Sequence, residues 1–193
     1  MGVTKSGWLT SRRLRPDVLG ALAGRVAGVK GENMVKTHIR WMVRRHMEQV
    51  LDIEKGAFGF PWSEDEFVRC LRRRNCIGMV AEGSYGSGRV LGFMIYELHK
   101  TRLHILNFAV AAEARRHGVG SQMVDKLIGK LSCERRTRLL VTVRDTNLGA
   151  HLFLRQMGFR ASGVACDYYE NGDDAYCFEY LLKQCSAAEP LTN

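Results

Sequence analysis

Residues 105–124 read ILNFAVAAEARRHGVGSQMV. An apolar run ends at Val110, a short link follows, and Arg115-Arg116-His117-Gly118-Val119-Gly120 opens an amphipathic stretch. The spacing predicts a strand, a tight turn and a helix. A helix begins with four main-chain N–H groups that lack partners inside the helix. Together with the positive end of the helix dipole they make a site for a phosphate or diphosphate. Gly118 and Gly120 carry no Cβ and let a ligand approach the backbone closely, and Arg115 and Arg116 add charge beside it. Neither G-x-G-x-x-G nor G-x-x-x-x-G-K-S/T is present, which argues against a dinucleotide or a nucleoside triphosphate. The stretch points to another phosphorylated cofactor lying across a strand-to-helix turn.

Outward from that turn, strands and helices alternate. Residues 35–43 read as a strand and 46–57 as a helix with Val50, Leu51 and Ile53 inward. Pro61 breaks the chain, and Ser63 with Glu66 three residues on forms a capping box that opens a second helix. Residues 76–81 and 89–98 read as strands joined by a turn over 84–88, and 103–110 as the strand before the glycine turn. A helix from Gly118 to about Glu134 follows, then a strand over 139–143 and a helix over 147–157 stopped by Gly158. Strands over 161–169 and 175–182 complete the series. Hairpins at both ends with helical crossovers between them imply an α/β fold. Its central sheet is mixed and mostly antiparallel, with helices on both faces.

Composition bounds the reading independently. At 193 residues and 46% hydrophobic, the chain suits one domain with a real core. No run of 18 apolar residues occurs, so no membrane span is expected. The six cysteines include no C-x-x-C and no paired metal spacing, so reduced thiols, a cytoplasmic location and no metal are expected. Residues 1–33 supply +4 of the net +9 and are expected to be a basic, flexible extension, or to lie upstream of a start at Met34. Residues 34–185 make the folded domain, and 186–193 a tail. The remaining +5 is ordinary and leaves no nucleic-acid footprint.

The R-x-x-G-x-G of residues 115–120, preceded by Ala109-Val110, resembles the cofactor turn of the GNAT superfamily of acyl-CoA-dependent N-acyltransferases. Four further segments run in the same order as in its ribosomal-protein-alanine N-acetyltransferases. They are IEKGAFGFPWSEDEF (53–67), VTVRDTN (141–147), LFLRQMGF (152–159) and DYYENGDDAYCFEYL (167–181). The catalytic subunits of eukaryotic N-terminal acetyltransferases are similar at a greater distance. The resemblance covers about residues 35–183 and implies acetyl-CoA as co-substrate and a primary amine as acceptor. That acceptor is expected to be a peptide N-terminus, the N-terminal alanine of a ribosomal protein. It places the pantetheine arm beside Phe108, Ala109 and Val110, and the diphosphate on the turn of Arg115, Arg116, His117, Gly118, Val119, Gly120 and Ser121. Asn147 lies near the thiol end, a position that a plain helix N-cap also explains. Tyr168 and Tyr169 fall on the substrate side. Phe58, Phe60, Pro61 and Trp62 form the opposite wall, although Trp62 equally suits packing of its loop on the core.

Two positions depart from the family pattern. The glutamate expected as general base, five residues before Asn147, is Thr142, and the tyrosine expected as general acid, seven after, is Leu154. Neither side chain can fill the role. Substitutes exist in His104, on the cofactor strand, and Tyr168; Glu97 is a weaker candidate. An α-amine is about one-tenth neutral at pH 7, whereas deprotonating a lysine costs about 4.6 kcal/mol there. A missing base is thus tolerable for an N-terminal amine and damaging for a lysine. The acids Asp167, Glu170, Asp173 and Asp174 could draw a cationic N-terminus, or simply solvate a turn. An enzyme for lysine or a small amine, and a non-catalytic acyl-CoA-binding module, are the competing readings.

Overall fold

The computed structural model describes residues 34–83, 88–169 and 171–182. The extension 1–33, most of the turn over 84–88, Glu170 and the end of the chain from 183, including the expected tail, lie outside the described residues. Seven strands form one sheet, β1 (Thr37–Trp41), β2 (Cys76–Gly83), β3 (Val90–Leu98), β4 (Arg102–Val110), β5 (Arg138–Arg144), β6 (Arg160–Ala165) and β7 (Ala175–Leu181). Their order is β1-β2-β3-β4-β5-β7-β6. Four helices accompany them, α1 (Met47–Ala57), α2 (Glu64–Leu71), α3 (Val119–Ile128) and α4 (Leu148–Gln156), with short 3-10 turns at Arg44–His46 and Ala112–Ala114. Only β4 and β5 pair in parallel, because α3 crosses over between them; every other neighbouring pair is antiparallel. The sheet is therefore the mixed, mostly antiparallel one expected.

The core lies on both faces. Phe108, Val110 and Leu139 pack with Met123 and Leu127 of α3 and Leu154 of α4 on one side. Phe93, Ile95 and Ala109 pack with Val50 of α1 and Phe67 of α2 on the other. The capping box forms at the start of α2: Glu66 N–H donates to Ser63 Oγ, and Ser63 N–H donates to Glu66 Oε2 at 2.7 Å. Most ends fall within two residues of those expected, but two elements stop well short of their apolar pattern. Helix α3 ends at a cap on Gly129, beyond which Ser132 bridges Arg136. Strand β6 ends at Ala165, and Asp167 then turns the chain with a φ of 49°. Among the described residues no helix is long and apolar enough to cross a membrane. Cys70, Cys76, Cys166 and Cys177 are free thiols as expected, whereas Cys133 is disulfide-bonded.

One buried polar group ties the second core together. Val50 of α1 faces inward, and Glu54 one turn later shares that face with no exposed surface. Its carboxylate accepts from Trp62 N–H at 2.8 Å and from Asn107 Nδ2 at 3.1 Å on both oxygens. Burial raises the carboxyl from the ordinary 4.5 to about 7, with the two donors opposing the rise. Asn107 Oδ1 is buried and finds no partner among the described residues.

The sign of the pH dependence follows. Between about pH 4.5 and 7 the folded state binds the proton that the unfolded chain releases. Stability from this group is therefore full below that window, falls through it by an amount on the order of 3 kcal/mol, and stays level above it. Glu54→Gln removes the titration. Its amide can accept from Trp62 N–H while donating to Asn107 Oδ1. Urea unfolding across this window is expected to show the slope in the natural protein and its loss in Glu54→Gln. Parallel curves for the two would refute the assignment.

Candidate active site

Strands β4 and β5 begin as partners and then separate. Parallel pairing runs from Arg102 with Arg138 to Ile105 with Val141 and goes no further. On its other side, β4 carries a bulge: Tyr96 pairs with Ile105 and Ile95 with Asn107, leaving Leu106 as the extra residue. A bulge bends its strand and reverses the side-chain alternation beyond it. Accordingly Leu103 and Ile105, then Phe108 and Val110, share one core, while Ala109 faces the other. The edge of β4 from Leu106 to Val110 thus faces β5 across a gap. Phe108, Ala109 and Val110, the residues expected along a pantetheine arm, all lie on it. One carbonyl there is taken, because Val110 O accepts from Arg115 Nε at 3.0 Å. Arg115 accordingly braces the turn as well as charging it.

The gap leads into the glycine turn. Arg116 has a φ of 67° and Gly118, the N-cap of α3, a φ of 78°. Left-handed residues set close together turn neighbouring N–H groups toward one concavity. At Gly118 a side chain would be strained, and a Cβ would meet Met34 Cγ at 3.2 Å. The N–H groups of Arg116, His117, Gly118, Val119, Gly120 and Ser121 find no acceptor among the described residues. The chain before β1 braces the far side: Val35 N–H donates to His117 O at 3.1 Å and Gln122 Nε2 to Val35 O at 2.8 Å. His117 Nδ1 is buried and finds no partner among the described residues. An open strand edge that continues into six unbonded amides at a helix N-terminus can hold an extended ligand ending in a diphosphate.

The remaining expected residues divide between two places. Asn147 stands just past the open end of β5 and caps α4, accepting from Ala150 N–H at 3.1 Å. Tyr168 and Tyr169 meet edge to face at 5.1 Å in the turn between β6 and β7. Arg144, at the end of β5, stacks 4.0 Å over the Tyr169 ring and pairs with Asp173. Hydrogen bonds from Asn171 and Arg144 hold the Asp173 carboxyl below its ordinary range. Asp174 accepts from Asp167 N–H at 2.9 Å, so two of the four acids serve the turn itself, and Glu170 lies outside the described residues. Phe60 is 66% exposed and free to touch an acceptor. Trp62 is 6% exposed, edge-on to Phe67 at 5.2 Å, and holds its loop to the core. Thr142 is buried near Cys177, and Leu154 is wholly buried among α4 and the sheet. His104 stands before the bulge, toward the β3–β4 turn, opposite the glycine turn along β4. Burial pushes its imidazole down to about 4, against the pull of Glu97.

Sequence reasoning missed Glu54 and Asn107. Both were visible as polar residues on faces otherwise apolar, Glu54 four residues from inward Val50 and Asn107 inside the run ILNFAV.

A family model described as the acetyltransferase (GNAT) family matches residues 47–159. An N-acetyltransferase of Methanocaldococcus jannaschii is 28% identical over 155 residues, 79% of this chain and 96% of that protein. The ribosomal protein bS18 alanine N-acetyltransferase of Escherichia coli is 26% identical over 121 residues, 63% of this chain and 79% of that protein. The crystal structure of the E. coli alanine N-acetyltransferase superposes with a TM-score of 0.68 at 23% identity, covering 82% of this chain and all of that one. Arabidopsis thaliana NAA60 in complex with a bisubstrate analogue superposes with a TM-score of 0.66 at 14% identity, covering 77% of this chain and 99% of that one. At these identities the structures speak for the fold. The family match covers more than half of the chain and includes the parted strands, the glycine turn and the Asn147 cap. The chain belongs to the GNAT family and is an N-acetyltransferase.

Proposed function

We propose that this enzyme transfers the acetyl group of acetyl-CoA to the α-amine of a protein N-terminus in the cytoplasm, with the N-terminal alanine of a ribosomal protein as its acceptor. The observation that carries the reading is the open edge of β4 running into the six unbonded amides of the glycine turn. Phe108, Ala109 and Val110 line the arm, residues 115–121 hold the diphosphate, and Asn147 stands near the thioester. Phe60 and the Tyr168–Tyr169 pair receive the peptide. The E. coli relative, which acts on an alanine of a ribosomal protein, supports the acceptor class. The Arabidopsis NAA60 structure with acetyl-CoA supports the co-substrate.

The amine nitrogen attacks the thioester carbonyl, the C–S bond breaks, and the proton lost by the amine leaves the sulfur as a thiol. Thr142 and Leu154 can move no proton, so positioning of amine and thioester supplies most of the acceleration. We assign the amine's proton to His104 through water and protonation of the sulfur to Tyr168. An α-amine titrates near 7.7–8.0 and a thiol near 8.5, so neither needs strong help at neutral pH, and His104, pushed down to about 4 by burial, gives only a weak pull.

Mass spectrometry of peptides incubated with acetyl-CoA tests the assignment. Acetylation is expected on the α-amine of an alanine-starting peptide and not on lysines of an N-blocked one. Modification of lysine alone, or of no peptide, overturns it. Ser121→Glu places an acid in the first turn of α3, where the dipole favours it by roughly 0.3–1 kcal/mol. It is therefore expected to keep the melting temperature while weakening acetyl-CoA binding at least about tenfold, by repulsion of the diphosphate. Undiminished affinity would move the cofactor elsewhere. His104→Ala is expected to lower kcat by about tenfold, below the 10²–10⁴ of a well-matched base. An unchanged kcat removes the histidine from the reaction.

A further inference from the structure

The β3–β4 hairpin carries Glu97, His99 and His104 in the spacing E-x-H-x-x-x-x-H. Glu97 and His104 are direct cross-strand partners, so their side chains leave the same face of the hairpin. His99 follows Glu97 by two residues and keeps that side by the alternation of an extended chain. One ligating atom from each of the three lies within 4.8 Å of the other two. His99 Nε2 is buried and stands 3.0 Å from Glu97 Oε2, yet makes no aligned hydrogen bond. Two imidazoles and a carboxylate thus converge with donor atoms not fully used.

We infer that this hairpin binds a divalent transition-metal ion of the zinc type, held by Glu97, His99 and His104. Nitrogen donors select zinc, cobalt or nickel over magnesium and calcium, which prefer all-oxygen shells. Ligand bonds of about 2.0–2.2 Å would bring the three atoms to about 3.4 Å of one another, within reach of small side-chain rotations. The frame for them is already fixed. Arg73 and Asn75 hold Glu97 Oε1, the latter from Nδ2 at 2.8 Å, and leave Oε2 toward the histidines. His99 N–H donates to Arg102 O at 3.0 Å, and His99 O accepts from Arg136 Nε at 2.8 Å. A cleft of about 430 Å³, lined by Leu98, His99, Lys100, Thr101 and residues 134–136, opens beside His99 and gives an ion a route to the cluster. The guanidinium groups of Arg73, Arg102 and Arg136 oppose a cation, so the ion is exchangeable rather than structural. The cysteine spacing predicted no metal; the histidines of this hairpin supply the donors instead. The inference does not depend on which amine the enzyme acetylates, but an ion on His104 would withdraw that imidazole from the proton transfer assigned to it above, so that role belongs to the metal-free enzyme.

A second donor pair stands nearby and must be separated from this one. The Sγ atoms of Cys70 and Cys76 lie 3.1 Å apart, with Arg73 between them and Glu97. The test is calorimetric titration of the full chain, freed of metal by a chelator and then of the chelator, with zinc chloride at about pH 7.5, where histidine is neutral. About one equivalent is expected to bind with a dissociation constant in the roughly micromolar range. His99→Ala and, separately, His99→Gln should weaken binding at least about tenfold without lowering the melting temperature of the metal-free protein. A Cys70→Ser/Cys76→Ser double variant should bind as the natural chain does. Cobalt(II) should give visible bands without a thiolate charge-transfer band. No saturable binding, binding indifferent to both His99 variants, or loss of binding in the cysteine variant would each overturn the inference.

Discussion

Past Ile105 and Val141, β4 and β5 exchange no hydrogen bonds, and the bulge at Leu106 is what parts them. A parallel pair in the middle of a sheet normally satisfies its inner edges strand to strand. Here the edge of β4 is left unpaired by β5 instead, at the place where α3 also presents amides that find no acceptor among the described residues. The two features depend on each other. Without the gap, the glycine turn would hold a diphosphate with nowhere to lay the arm that follows it. Without the turn, the gap would be an unsatisfied edge in a protein interior. Arg116, in a left-handed conformation that a non-glycine residue adopts at some cost, shows how firmly the turn is set.

The same geometry explains how an acetyltransferase tolerates Thr142 and Leu154. Leu154 is wholly buried and contributes to the core that holds α4 against the sheet. Thr142 is buried against Cys177, whose thiol burial pushes up, so the pair stays neutral and offers no base. The two positions at which the resemblance implies proton transfer thus serve packing in this chain. An acceptor whose amine is partly neutral in water needs those groups least. Electrostatic attraction by the acidic turn is weaker than its composition suggests, because the charge of Asp173 is paired with Arg144.

Much of this was legible before the fold was seen. The order of strands and helices, the capping box at Ser63 and the turn at residues 115–120 are local, and local chemistry writes them plainly. The ends of elements were less so. Periodicity carried α3 past Gly129 because Leu131 is apolar, yet that residue is buried from a turn rather than a helix. Strand β6 was read through Asp167 because apolar alternation cannot reveal a left-handed residue. Trp62 and Phe60, read as one wall, divide by contact with Phe67, a tertiary fact that no spacing encodes. The bond at Cys133 was hidden for the same reason. The hairpin histidines stood in view, but their convergence depends on cross-strand register, which a single strand does not state.

The buried pair of Glu54 and Asn107 follows from the bulge as well. An unbroken β4 would put residue 107 on the face of Leu103 and Ile105, against α3 and α4. The extra residue at Leu106 turns Asn107 toward α1, where an unpartnered amide would cost about 1–3 kcal/mol. Glu54 meets it there, and its other contact, the Trp62 amide, lies in the loop that carries Phe60. The carboxyl thereby joins the strand that would hold the cofactor to the loop that would hold the acceptor. Opening the sheet at the bulge created a buried polar demand, and the group that answers it also fixes the loop of Phe60.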